Sequence, residues 1–204
     1  MKRRILTGLS CALFLAVWAS LFQPETRASG GAAASQRGAR NILGTVVGIG
    51  GRSAGRSRPF RLIVNSYTSA GDVERLNSAL RSGGDDEMLR VLSGLNAGRI
   101  QIGNSVGVRA NAIISTPQAE GGEKLTVLFE RNVNLFELRY GTRSADYRFG
   151  YAEIFLDARD RGEGTFIGAA RVRSRGGNTW EVEDFGTFPA RIMGVRATGT
   201  VPAR

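Results

Sequence analysis

Tyr151-Ala-Glu-Ile-Phe-Leu-Asp157 places Ala152, Ile154 and Leu156 on one face of an extended chain and Glu153 and Asp157 on the other. Successive side chains of a strand point to opposite sides, so the pattern describes a sheet with one dry and one wet face. The runs on either side read the same way: Val106–Ser115, Lys124–Glu130, Gly164–Arg173, Thr179–Phe185 and Ala190–Arg196 are short and apolar-rich. Turn-forming segments at Gln118–Gly122, Asp157–Gly162 and Ser174–Asn178 separate them. A succession of strands joined by short turns predicts antiparallel neighbours. Only Asn132–Tyr147 departs from the pattern, reading as a short helix over Leu135–Leu138 followed by an exposed loop.

Nearer the N-terminus, Asn41–Gly50 and Pro59–Ser66 are two further strands, joined by the Gly/Ser/Arg stretch Gly51–Arg58. Between them and the later strands the period changes. Val73, Leu76 and Leu80, then Met88, Leu89, Leu92 and Leu95, recur at helical spacing. Ser82-Gly83-Gly84 interrupts the two sets, while Ser69 or Asp72 and then Asp85 stand where caps are needed. The expectation is an αα-hairpin at about residues 70–97, inserted after the second strand. The fold class is therefore α+β, a predominantly antiparallel sheet, curved or closed into a barrel or sandwich, carrying two short helices. No repeat and no βαβ alternation is present, which disfavours a doubly wound nucleotide fold.

Met1–Arg4 is basic, Ile5–Phe22 is mostly apolar and small residues follow, the pattern of an export signal cleaved after Ala28, or alternatively after Ala19. The apolar run is close to the ~20 residues that span a bilayer, but Gly8, Ser10, Cys11 and Ser20 dilute it, so no membrane span is expected after cleavage. This divides the chain into a signal peptide (1–28), a flexible lead-in (29–40) and one β-rich domain (41–204), placed in the periplasm or outside the cell. From Ser29 onward there are 24 basic and 17 acidic residues, a balance of +7 against +10 for the whole chain, so part of the basicity belongs to the signal.

Cleavage also removes Cys11, the one cysteine, and the sequence has no histidine. Zinc or copper sites built on those residues are excluded, as are intramolecular disulfides and nucleophile–histidine pairs. Lys124 is the single lysine beyond the signal, and no serine motif accompanies it. No cofactor is expected. Gly50–Ser57 approaches a phosphate-binding loop, but Pro59 and a strand follow where a helix is required. Asp157, Asp160 and Glu163 offer oxygen ligands for calcium, although Arg159 and Arg161 interleave them and a charged hairpin turn accounts for the stretch.

If the protein were an enzyme, Glu153, Asp157, Glu181 and Glu183 are the residues that would serve a carboxylate mechanism on glycans. Glu181 and Glu183 share a strand face opposite Trp180 and Val182, and a solvated outer face accounts for them without catalysis. Tyr140, Tyr147 and Tyr151 are aromatics suited to stacking on a sugar. Arg52, Arg56, Arg58 and Arg61 form the basic cluster that would meet a polyanion. Phe60 is the one aromatic among them, which makes nucleic acid an unfavoured partner and leaves an envelope glycan, a lipid headgroup or a protein.

Ser144-Ala-Asp-Tyr147, Ala152–Asp157, Gly162-Glu-Gly-Thr165, Asn178–Phe185 and Pro189-Ala-Arg-Ile192 resemble, together with the helical segment, a group of exported proteins of unknown function from soil-type bacteria. The resemblance implies export and a single domain and carries no activity. The expected function is that of an exported, non-enzymatic domain of the cell envelope that binds a ligand or a partner. A glycan-acting enzyme and a polyanion-binding surface protein are the alternatives.

Overall fold

The computed structural model describes residues 40–49, 54–131, 146–175, 180–184 and 189–200. Its elements are β1 (Arg40–Val47), β2 (Ser57–Val64), α1 (Ala70–Ser93), β3 (Gly98–Ile102), β4 (Val108–Ala110), β5 (Ala112–Pro117), β6 (Glu123–Glu130), β7 (Phe149–Leu156), β8 (Arg161–Ser174), β9 (Trp180–Asp184) and β10 (Ala190–Thr200). The segment read as a short helix and loop at 132–147 lies mostly outside the described residues, as does Arg52.

All the strands belong to one antiparallel sheet whose order is β4-β3-β2-β1-β10-β8-β7-β6-β5, with β9 beside β8. The two ends of that path, β4 and β5, are consecutive in the chain with Asn111 alone between them. The sheet therefore curls until its ends meet in one bent strand, a nearly closed barrel rather than a sandwich. β9 and β10 both run antiparallel to β8, at Ala170–Ser174 and Arg161–Phe166 respectively, so they act as one interrupted strand. Neighbours in the wall are neighbours in sequence, and β1 closes the circuit on β10 from Arg40 opposite Thr200 to Val47 opposite Arg191.

Alternation puts Ile42 and Val46 of β1, Phe60, Leu62 and Val64 of β2, Leu125 and Val127 of β6, and Ala152, Ile154 and Leu156 of β7 into one buried cluster, the barrel interior. The intervening residues Leu128 and Tyr151 face outward and join a second cluster with Leu76, Leu80, Met88, Leu89 and Leu92 of α1. The helix thus covers the outer wall of β6, β7 and β8. A one-residue bulge in β8, where Tyr151 pairs with Ile167 but Phe149 with Ala170, keeps Ile167, Ala170 and Val172 on the helix side. Trp180 and Val182 pack there too, and the indole Nε1 donates to Asn77 Oδ1 at 2.6 Å.

The expected αα-hairpin is replaced by one helical element, α1, broken internally at Gly84 (φ 64°, ψ −150°), a conformation that only glycine adopts freely. The interruption falls in Ser82-Gly83-Gly84 as the sequence implies, and residues of both apolar stripes join one cluster with the outer face of the sheet. Both are satisfied by the outer face of the sheet, and each fully buried Leu or Met side chain there contributes about 1.5–3 kcal/mol. Ser69 caps the helix, its hydroxyl accepting from Asp72 N at 3.1 Å. Hydrogen bonds from Arg75 and Ser69 hold the Asp72 carboxyl below its ordinary range.

Candidate functional site

The barrel has two unlike ends. At one lie the β1–β2 tip, the β3–β4 turn and the end of β6; at the other lie the start of β1 and the β5–β6 and β7–β8 turns.

The first end holds an apolar cleft of about 360 Å³, lined chiefly by Ile100 and Ile102 of β3, Val106 and Val108 of the β3–β4 turn and strand, and Phe129 and Phe166. That volume lies in the range of small-molecule sites, about 300–1,000 Å³. The Phe129 and Phe166 rings stack with centroids 6.2 Å apart and planes 17° apart. Gly150 makes room for them, since a Cβ there would stand 2.0 Å from the Phe129 ring. Ser105 lines the same space, but its hydroxyl donates to Ile102 O at 2.9 Å, which leaves the lining without a free donor from that side chain.

The second end is filled by polar groups. Arg40 and Glu123 occupy inward positions of β1 and β6, opposite buried Val64 and Leu156, and form an ion pair with side chains only 12% and 6% exposed. Arg40 also donates to Tyr67 Oη at 3.2 Å and Asp160 Oδ1 at 2.8 Å, and Ser115 donates to the second oxygen of Glu123. Burial opposes the Arg40 charge, but Tyr67, Glu123 and Asp160 outweigh it and raise its pKa. A buried pair of this kind persists only where its remaining valences are met, as they are here.

The carboxylates singled out in the sequence do not meet in a common site. Glu153 lies on the outer wall of β7 within 3.1 Å of Lys124, Glu181 is 3.5 Å from Arg175, and Glu183 is 2.9 Å from Arg173 and accepts from Tyr147 at 2.8 Å. None of them lines the cleft. Asp157 closes the β7–β8 turn: its Oδ1 accepts the backbone N–H of Arg159 at 2.8 Å and of Arg161 at 2.9 Å, and these bonds lower its pKa. Asp160 is engaged by Arg40, and Glu163 sits on the wall of β8 opposite Phe155. Among the described residues no three acidic, cysteine or histidine side chains are placed to hold a metal ion. Tyr151, expected as an exposed stacking surface, is instead buried at 9% exposure beneath α1, and burial followed by the Glu153 charge raises its phenol pKa.

Arg56 and Arg58 are exposed at the β1–β2 tip, and Arg61 stands on the outer wall, its Nη2 donating to Asn41 Oδ1 at 3.1 Å. The barrel adds Arg99, Arg109, Arg191 and Arg196, all exposed, which sequence reading missed because they come from distant strands. The five strands β1, β2, β3, β4 and β10 contain no Asp or Glu. Arg196 faces Leu43, Leu43 faces Arg61, and Arg99 lies directly opposite Arg109. An apolar interior within a wall bearing arginines is the reverse of a membrane-spanning barrel, whose lipid face is apolar and whose lumen is polar. No helix among the described residues is long and apolar enough to cross a membrane.

No family model, no curated protein and no solved structure matches the chain.

Proposed function

We propose that this protein is an exported, non-enzymatic envelope protein that holds a small apolar ligand in the cleft at the open end of its barrel. The cleft carries the reading. Barrels of about eight strands enclose a space that side chains just fill or that admits one small ligand, and here the interior is packed along most of its length but opens between Ile102, Val108, Phe129 and Phe166. A lining without charged groups among the described residues selects by shape and apolarity, as a carrier does, and those residues supply no acid or base. The basic, apolar and small-residue order of residues 1–28, together with the resemblance to exported bacterial proteins, supports placement in the periplasm or outside the cell.

Titration with a neutral apolar fluorophore such as N-phenyl-1-naphthylamine tests this. One site per chain is expected, and Val108→Trp, which fills the cleft from a 42% exposed position, lowers affinity at least tenfold without changing the circular dichroism spectrum. Equal binding by the variant and the parent overturns the reading.

A further inference from the structure

The rim of the open end combines exposed apolar side chains with exposed arginines. Ile49 is 54% exposed on the β1–β2 tip, while Val106 at 85% and Val108 at 42% project from the adjoining β3–β4 turn and strand. The two tips are tied together, since Gly103 N donates to Pro59 O at 2.7 Å. Arg56 and Arg58 are exposed beside them, and Arg58 reaches to within 3.6 Å of where a Gly103 Cβ would stand.

Large aliphatic side chains are normally withdrawn from water, and an isolated exposed one needs no explanation. Ile49, Val106 and Val108 are three of the six large exposed hydrophobics among the described residues, and all three lie at this end. Among the described residues neither Arg56 nor Arg58 has an ion-pair partner, and the strands that carry the rim, β1 to β4, hold no acidic residue. Arg99 and Arg109, lower on the same wall, face each other as like charges, an arrangement that costs stability in an isolated sheet. A surface with apolar tips and flanking cations, whose carrying strands β1 to β4 hold no acidic residue, complements the boundary of an anionic bilayer. There, aliphatic groups enter the acyl region while arginines stay with the phosphates.

We infer that the open end is a docking face for an anionic phospholipid bilayer, with the mouth of the barrel turned toward the lipid. The docking stands on the rim alone; that the bilayer also supplies the ligand of the cleft, as an acyl chain or a lipid-dissolved hydrophobe, rests on the function proposed above. The polar cluster of Arg40 and Glu123 then lies at the end away from the lipid.

The test is co-sedimentation with phosphatidylcholine vesicles made with and without phosphatidylglycerol. Parent and variants share one N-terminus, so residues 5–22 contribute equally if retained. Binding is expected only to the anionic vesicles, and to fall as salt rises. Arg56→Gln and Arg58→Gln should each weaken it about fivefold, and Val106→Asp should weaken it further, with the melting temperature unchanged because all three side chains are exposed. Equal binding to neutral vesicles overturns the inference. So does anionic binding that ignores these variants and responds instead to Arg61→Gln and Arg196→Gln on the side wall. Retention by a soluble acidic polysaccharide that is indifferent to Val106→Asp, without vesicle binding, overturns it in favour of a glycan partner. Failure of the apolar fluorophore to bind, with vesicle binding intact, removes the carrier function and leaves the docking standing.

Discussion

The two ends of the barrel are made by the same strands in the same alternation and differ only in what the last inward positions carry. At the closed end these are Arg40 and Glu123, with Tyr67 and Ser115 completing their hydrogen bonds. At the open end they are Ile102, Val108, Phe129 and Phe166, which leave about 360 Å³ unfilled. A polar layer can be completed by its own partners, whereas an apolar layer that is not filled keeps surface for something else to cover. The barrel is thereby given a direction, with one end satisfied from within and the other open to a guest.

The largest expected effect comes from breaking the closed end. Glu123→Ala leaves the buried Arg40 guanidinium short of its main anion and should cost about 3–5 kcal/mol in denaturant unfolding, while Arg40→Met with Glu123→Leu recovers most of the loss. Apolar-probe affinity should be unchanged in the folded fraction; a probe site that disappears with the ion pair would show that the two ends are not independent.

Asn111 sits where the ends of the sheet meet. Its Nδ2 donates to Leu92 O at 3.1 Å and Leu95 O at 3.2 Å, and its Oδ1 accepts Glu130 N at 3.0 Å, so it ties β4, β6 and the end of α1 together. Asn111→Ala should cost about 1–3 kcal/mol, measured by chemical denaturation, and a smaller loss would mean that the closure does not depend on this residue. At the open end, Gly150→Ala drives the Phe129 ring into the cleft, with an expected cost of about 1–3 kcal/mol and loss of the fluorophore. Retained binding would place the guest elsewhere.

The smallest effects are those of pH. Asp157 and Asp72 have lowered folded-state pKa values, so their contribution to stability is complete above the ordinary carboxylate value of about 3.9 and is lost as the pH falls through their folded values. Asp85 runs the other way: burial raises its pKa despite Arg171 at 3.2 Å, so its ionisation costs stability as the pH rises past that same ordinary value. Asp157→Asn should flatten the acid limb of the stability profile and Asp85→Asn should steepen it. Among the described residues the cleft lining contains no titrating side chain, so fluorophore affinity should stay constant over the range in which the fold is intact. A pH-dependent affinity would connect the open end to charges outside the cleft.

Where local chemistry decides the outcome, the sequence could be read directly. Ala152, Ile154 and Leu156 face the core as their spacing requires, Ser69 caps the helix, and the helical run breaks at Gly84 because no other residue tolerates that backbone. Arg40 was legible only as the end of a lead-in, because nothing in a single strand shows that its neighbour across the barrel is Glu123, distant in the chain. The basic surface was half legible: Arg56, Arg58 and Arg61 are close in sequence, but Arg99, Arg109, Arg191 and Arg196 join the same acid-free wall only through β1 pairing with β10 and β2 with β3. The carboxylates were legible in the same partial way: alternation gave Glu181 and Glu183 a shared face, and only the strand pairing shows Arg173 and Arg175 beside them.

The sequence by itself determined the antiparallel strands, their dry faces, the helical insertion and the absence of histidine and cysteine chemistry from the described domain, because these depend on periods of two or about four residues and on composition. Only the tertiary structure decided that the two apolar helix stripes both pack on the outer face of the sheet, that the sheet closes at Asn111, and that one end is filled by ions and the other left open. Each of these turns on which strand ends meet around the barrel, and those meetings are set by closure of the whole wall, a property that no segment of the chain carries alone.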